Sequence, residues 1–190
     1  MNMDLLQGQA VRLTALQAED APVIAGWSED VGYLRLQETN LARPRSVAGV
    51  ASELEKLAEA SDTLVFGIRT IQDGDGALIG TLGFYEIEWP NQVAWLGLGI
   101  GDRANWSQGY GGEALRLGLA YAFEELNLHR LTLTVIAYNA RAIALYERAG
   151  FRREGVFREF GQRDGQRYDM YLYGLLRDEW AAARGQGEET

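Results

Sequence analysis

One junction constrains this chain more than any other stretch. The segment Val93-Ala94-Trp95-Leu96-Gly97-Leu98-Gly99-Ile100 reads as a strand yet carries two glycines. Asn105-Trp106-Ser107-Gln108-Gly109-Tyr110-Gly111-Gly112-Glu113-Ala114 then opens a helical period that runs to about Leu126. Glycine weakens a strand interior, so its presence marks a bulge or a backbone that another group approaches closely. Glycines at a helix N-terminus remove side chains from unpaired N–H groups, with the positive end of the helix dipole behind them. A phosphate or pyrophosphate is the natural guest of such a turn. The same glycines also serve a tight turn with no ligand, so the turn alone leaves both uses open. Gly109-x-Gly111-x-x-Ala114 fits the dinucleotide pattern G-x-G-x-x-G/A as well. That fingerprint expects glycines at the strand end and an acid closing the next strand. Here Gly101 to Ser107 intervene and the next strand closes on Ala137-Tyr138-Asn139, which makes a dinucleotide-binding oxidoreductase the weakest reading.

The rest of the chain alternates strands and helices around that junction. Val11 to Leu16 is a strand, Glu19-Asp20-Ala21-Pro22 opens a short helix, and Ser46 caps a second one that runs to about Ala60. Thr63–Arg69 and Ala77–Ile87 form a hairpin across the turn Gln72–Gly76, and Val93–Ile100 follows as a third antiparallel member. The helix after the glycines presents Leu115, Gly118, Leu119, Ala122, Phe123 and Leu126 on one stripe. A strand Leu131–Ile136, a helix Asn139–Ala149, a hairpin Phe157–Leu175 turning at Arg163-Asp164-Gly165-Gln166, and a short helix near Trp180 complete the order. The fold class is α/β, a mixed and mostly antiparallel central sheet flanked by helices, in one domain over residues 1–184 with a flexible tail over 185–190.

The helix from Asn139 explains itself structurally at first. Asn139 is an N-cap, Tyr138 and Ile143 are placed for a hydrophobic staple, and Gly150 stops the helix at C′. Yet Asn139 and Tyr146, seven residues apart, fall within about 20° of one face and roughly 10 Å apart along the axis. One face therefore offers an amide to hold a ligand and a phenol able to donate a proton to a leaving group.

Composition closes other routes. With no cysteine and one histidine, His129, there is no thiolate nucleophile, no disulfide framework and no His-rich metal site, so no metal is expected. No Gly-x-Ser-x-Gly elbow supports a hydrolase. A net charge of −9 argues against nucleic acid or an anionic membrane as partner and favours a cationic one. The first residues lack a basic stretch feeding an apolar run, and no segment reaches the roughly 18 apolar residues of a membrane helix. A cytoplasmic protein is expected.

Two motifs in order now give a resemblance. Ile100-Gly101-Asp102 through Trp106-Ser107-Gln108-Gly109-Tyr110-Gly111-Gly112-Glu113-Ala114-Leu115, then Asn127-Leu128-His129-Arg130-Leu131 into Asn139 to Phe151, resemble the GNAT N-acetyltransferases. Within them the chain is most similar to the RimJ/RimL-type branch, whose members acetylate ribosomal-protein N-termini. The resemblance implies acetyl-CoA as cosubstrate and transfer of acetyl to a primary amine by direct attack, the acceptor being a protein N-terminus, a small amine or a polyamine. It implies that backbone N–H groups of Gln108, Gly109, Tyr110, Gly111 and Gly112 hold the pyrophosphate. The strand at Leu98, Gly99 and Ile100 would pair with the pantetheine arm, with an N–H near Ile100 stabilising the oxyanion. Asn139 would bond the same arm and Tyr146 would protonate the departing thiolate. Trp106 departs from the Arg or Gln of many members, which puts phosphate contacts from that position in doubt. An ammonium acceptor must lose a proton, and Glu86 and Glu88 are the candidate bases, of one parity on their strand. Trp27, Tyr33, Arg35 and Glu38 would wall the acceptor pocket, with Arg158 on the last hairpin at its border. A CoA-binding module without turnover is the alternative, and a homodimer through the last hairpin stays open.

Overall fold

In the computed structural model the described residues are 4–71 and 76–187, side chains of 185–187 excepted. The chain forms β1 Val11–Ala15, α1 Ala21–Trp27, α2 Val31–Gln37, α3 Val47–Glu59, β2 Leu64–Thr70, β3 Leu78–Glu88 and β4 Val93–Ile100. It continues with α4 Tyr110–Ala120, β5 Arg130–Ile136, α5 Ala140–Arg148, β6 Arg152–Arg163, β7 Gln166–Leu176 and α6 Arg177–Gly187. The strands make one seven-stranded sheet in the order β1-β2-β3-β4-β5-β7-β6.

Every neighbouring pair is antiparallel except β4 and β5, which run parallel. That pair meets only at Val93↔Arg130, Ala94↔Leu131 and Trp95↔Thr132. Beyond Trp95 the two strands part, although β3 follows β4 to Ile100 and β7 follows β5 to Ile136. The sheet is therefore split at its centre, and the edge of β4 from Leu96 to Ile100 has no ladder partner on the β5 side. Buried backbone polar groups need partners, so an open edge at mid-sheet invites an extended ligand or another part of the chain.

Helices cover both faces. The expected stripe is buried at Leu115 and Leu119 of α4 and at Ala122 and Phe123 of the π-helical turn Tyr121–Glu125 that continues it, in one core with β-strand residues such as Leu82 and Phe84. Gly118 permits that closeness, since a Cβ there would fall 2.6 Å from Leu82 Cδ1. A smaller cluster of Ala21, Ala25 and Val50 joins α1 to α3. Ser46 caps α3 by accepting from Gly49 N at 3.1 Å, as its sequence position predicts.

Several local expectations need revision. Helix α2, which is short and carries no clear stripe, stands apart from α1 with its own cap, Asp30 accepting from Tyr33 N at 3.1 Å. Strand β6 begins at Arg152, earlier than the sequence pattern suggests, because as an edge strand it is exposed on most residues and lacks alternation. Helix α6 runs to Gly187, so the expected tail begins as helix. Residues 72–75 of the first hairpin turn and 188–190 of the tail lie outside the described residues. Among the described residues no helix is long and apolar enough to cross a membrane.

Candidate active site

The split between β4 and β5 opens onto the glycine turn. Ser107 and Gly109 both take left-handed φ, 60° and 86°, and reverse the chain into α4. Around Gly109 nothing lies within 4 Å of a built Cβ, and around Gly111 and Gly112 the nearest atoms are 3.7 Å away. These glycines are thus not demanded by protein packing; at Gly111 and Gly112 a Cβ would make only ordinary contact with Ile100 and Leu145 beside the helix N-terminus. Glu113, an acid in the first turn, is directed elsewhere: its carboxylate accepts from Ala10 N at 2.9 Å and Val11 N at 3.1 Å, tying β1 to α4.

A cavity of about 190 Å³ follows from this arrangement, lined by Leu98, Gly99 and Ile100, by Gly109, Gly111 and Gly112, and by Asn139 and Tyr146 among others. The structure therefore brings together most residues read from the two motifs. Gln108 and Tyr110 do not line it, and Tyr110 packs toward the core. Asn139 is buried and caps α5 by accepting from Ala142 N at 3.2 Å. Its amide also donates to the Leu36 carbonyl at 3.4 Å, so α2 ends against it. The Tyr138 hydroxyl donates to the Arg35 carbonyl and its ring packs edge-on to Tyr168 at 4.9 Å.

Gly150, at φ 97°, ends α5 in a Schellman turn: Phe151 N donates to Tyr146 O at 3.0 Å and Gly150 N to Glu147 O at 3.1 Å. This fixes Phe151 edge-on to the Tyr146 ring, centroids 5.7 Å apart. Tyr146 is 6% exposed, and burial pushes its phenol up to about 12. Among the described residues nothing hydrogen-bonds its hydroxyl, which remains a protonated donor beside the cavity.

A second cavity, about 300 Å³, lies on the other side of β4 and shares Gln37, Leu98 and Gly99 with the first. Trp27, Tyr33 and Glu38 line it as the sequence led us to expect, together with Arg45, Glu53, Thr81 and Tyr85. The strand glycines find their reason here. A Cβ at Gly97 would strike the Tyr85 ring at 2.9 Å, one at Gly99 the Tyr33 hydroxyl at 2.9 Å, and one at Gly101 the Trp27 indole at 2.0 Å. What approaches the backbone closely is thus a row of aromatic side chains. Burial raises the Tyr33 phenol well above its usual range, with Glu38 adding to it, and raises Tyr85, with Glu53 adding to it. Arg45 pairs with Glu53. Glu38 has no cation within 4.0 Å among the described residues, leaving its carboxylate free at the cavity.

Other expected residues fall outside. Glu86 and Glu88 are exposed and line neither cavity. A register shift between Tyr85 and Glu88, with Glu86 at φ 50°, breaks the strand parity and buries Ile87 instead. Glu88 accepts from Asn91 Nδ2 at 2.7 Å. Arg35 faces a separate cavity and pairs with Asp164 at 3.0 Å, while Arg158 is exposed on β6. His129 sits exposed at a corner, its backbone N–H donating to Gln92 O at 2.7 Å. Tyr85, Gln37 and Glu53 were missed: Tyr85 is set by the pairing of β3 with β4, and Gln37 and Glu53 by where α2 and α3 pack, none of which a local pattern reveals. No group of three or more His, Cys, Asp or Glu suited to a metal occurs among the described residues.

A centrally split sheet, a bare helix N-terminus beside the split and a protonated phenol in the same cleft suit an enzyme that binds an extended, phosphate-bearing ligand and protonates a leaving group. Comparison with known proteins specifies it further: residues 10–152 match the family model described as Acetyltransferase (GNAT) domain. The chain belongs to the GNAT acetyltransferase family, and is an N-acetyltransferase that moves acetyl from acetyl-CoA to an amine. It is 28% identical over 183 residues to the uncharacterised N-acetyltransferase p20 of Bacillus licheniformis, covering 94% of this chain and 99% of that protein. It is 27% identical over 138 residues to the ribosomal protein uS5 alanine N-acetyltransferase of Escherichia coli strain K12, covering 72% and 68%. In fold it is similar to spermidine N-acetyltransferase from Vibrio cholerae solved in complex with CoA and spermine, with TM-score 0.81, 23% identity and coverage of 90% and 98%.

Proposed function

We propose that the acceptor is a small primary amine that enters the 300 Å³ cavity as an ammonium ion and meets the acetyl group where the two cavities share Leu98 and Gly99. The observation that carries this reading is the unpaired Glu38 carboxylate at a cavity contiguous with the coenzyme cleft. It offers an attractive charge for the cation and a proton acceptor, directly or through water, for the amine that must become neutral before attack. Glu86 and Glu88, the bases first considered, line neither cavity. The coenzyme supplies the activated acetyl thioester. This chain's residues hold and orient it: the amides at Gly109 to Gly112 face its phosphates, the open edge of β4 faces its arm, and Asn139 exchanges the Leu36 carbonyl for the same arm. Tyr146 stays protonated through the neutral range and donates to the departing sulfur. An N–H on the β4 edge near Ile100 faces the carbonyl oxygen as negative charge develops.

A second reading, acetylation of a protein N-terminus in the RimJ/RimL manner, is supported by likeness to the uS5 alanine enzyme. A homodimer belongs with either reading; it is supported by the long edge strand β6, which exposes Val156, Phe157 and Phe160. A cytoplasmic setting is part of the same proposal. The test of the acceptor site is the rate of Glu38→Gln beside Glu86→Gln with a saturating cationic amine. Glu38→Gln is expected to raise KM or depress kcat by about tenfold or more while Glu86→Gln stays at the wild-type rate. The reverse ranking would return the base to β3.

A further inference from the structure

Trp106 lies between the end of β4 and the glycine turn, and two contacts fix its indole there. Its Nε1 donates to the Ile100 carbonyl at 2.8 Å, pinning the ring to the end of β4. The Arg141 guanidinium lies over that ring, Cζ 3.7 Å from its centroid. Arg103 also approaches the ring, at 5.1 Å, but both arms of its guanidinium are engaged by Asp30.

Arg141 is placed differently. It is the second residue of α5, in the first turn, where the helix dipole disfavours a cation. Among the described residues no carboxylate lies within 4.0 Å of it. Partial burial and the neighbouring Arg103 both press its pKa downward. It also lines the coenzyme cavity with Ser107, Gly109, Gly111 and Gly112. A cation held flat against an aromatic ring, repelled by its own helix and by a second arginine, and facing a bare helix N-terminus, lacks only an anion.

We propose that Arg141, oriented by stacking on Trp106, is the side-chain ligand of the coenzyme's diphosphate. This assignment rests on the reading of the 190 Å³ cavity as the coenzyme site. A planar guanidinium on a fixed ring can present paired N–H groups to phosphate oxygens, which a lysine ammonium cannot reproduce. The indole is thus a platform, and its substitution should act through Arg141.

Calorimetric titration of full-length wild type, Arg141→Ala, Arg141→Lys, Trp106→Phe and Arg103→Ala with CoA and with dephospho-CoA, at low and moderate salt, tests this. Arg141→Ala is expected to raise the Kd for both ligands by about tenfold or more and to flatten the salt dependence, because dephospho-CoA keeps the diphosphate. Arg141→Lys should recover part of the loss, Trp106→Phe should show a smaller loss, and Arg103→Ala should bind as wild type. A Kd for Arg141→Ala within twofold of wild type would overturn the assignment, as would a loss seen with CoA but absent with dephospho-CoA. Wild-type protein that binds neither ligand would overturn the coenzyme reading itself, a result distinct from the other two.

Discussion

The proposed chemistry falls on few side chains, and each is held by something identifiable. Tyr146 is the clearest case: the Schellman turn at Gly150 locks Phe151 against its ring, and burial keeps its proton in place. Tyr146→Phe is expected to lower kcat by about a hundredfold or more while leaving the Kd for CoA unchanged, as single-turnover kinetics and titration would show. An unchanged kcat would remove the phenol from the reaction. The same burial has a consequence for stability. The phenol titrates near 10 when unfolded and at about 12 when folded, so the folded state holds the proton more tightly between those values. Its contribution is complete below pH 10 and is lost as pH rises toward 12. Urea midpoints followed across that window should fall more steeply for wild type than for Tyr146→Phe. Tyr146 and Asn139 were legible in the sequence because seven residues on a helix return to one face. Glu86 was misplaced because a bulge, which no pattern of residue types announces here, resets the parity of β3 after Tyr85.

At the scale of elements, the glycine turn and the split of β4 from β5 form one device. The turn could be read from the sequence, since glycines cluster at a helix start for few reasons. The split could not, because it arises from the different paths of two strands that are each well formed with their other neighbour. The glycines of β4 were recognised as anomalous, but their partners are set by tertiary structure: Tyr85 by the neighbouring strand β3, and Trp27 and Tyr33 by the packing of α1 and α2. Two glycines on one helix separate function from packing. Gly111→Ala has room for its methyl group, so it is expected to match or exceed wild-type stability, by up to about 1 kcal/mol, while weakening CoA binding. Gly118→Ala would drive its methyl into the fully buried Leu82, and is expected to cost about 1–3 kcal/mol with little direct effect on the coenzyme site. Thermal melts and CoA titrations of the two variants check this. Equal losses of affinity in both would show that the turn acts through the fold alone.

For the molecule as a whole, the missing cysteine and solitary histidine fit a reaction whose activated group arrives with the coenzyme, leaving the protein to supply amides, a phenol and a carboxylate. The net charge of −9 fits the two cavities differently. On the proposed reading, local dipoles and Arg141 hold the coenzyme's phosphates against that field, whereas an ammonium acceptor is drawn by it toward Glu38. The relatives span ribosomal-protein and polyamine acetylation, and the proposed acceptor is an amine that reaches Leu98 and Gly99 from the cavity lined by α2. The most direct test is to incubate the full-length protein with acetyl-CoA and a panel of small amines, polyamines and peptides with free N-termini, following thiol release and the mass of each acceptor. The expected result is CoA release matched by one acetyl group on a cationic amine, abolished or strongly reduced in Tyr146→Phe and weakened in Glu38→Gln. Tight CoA binding with no acetylated acceptor anywhere in the panel would contradict it.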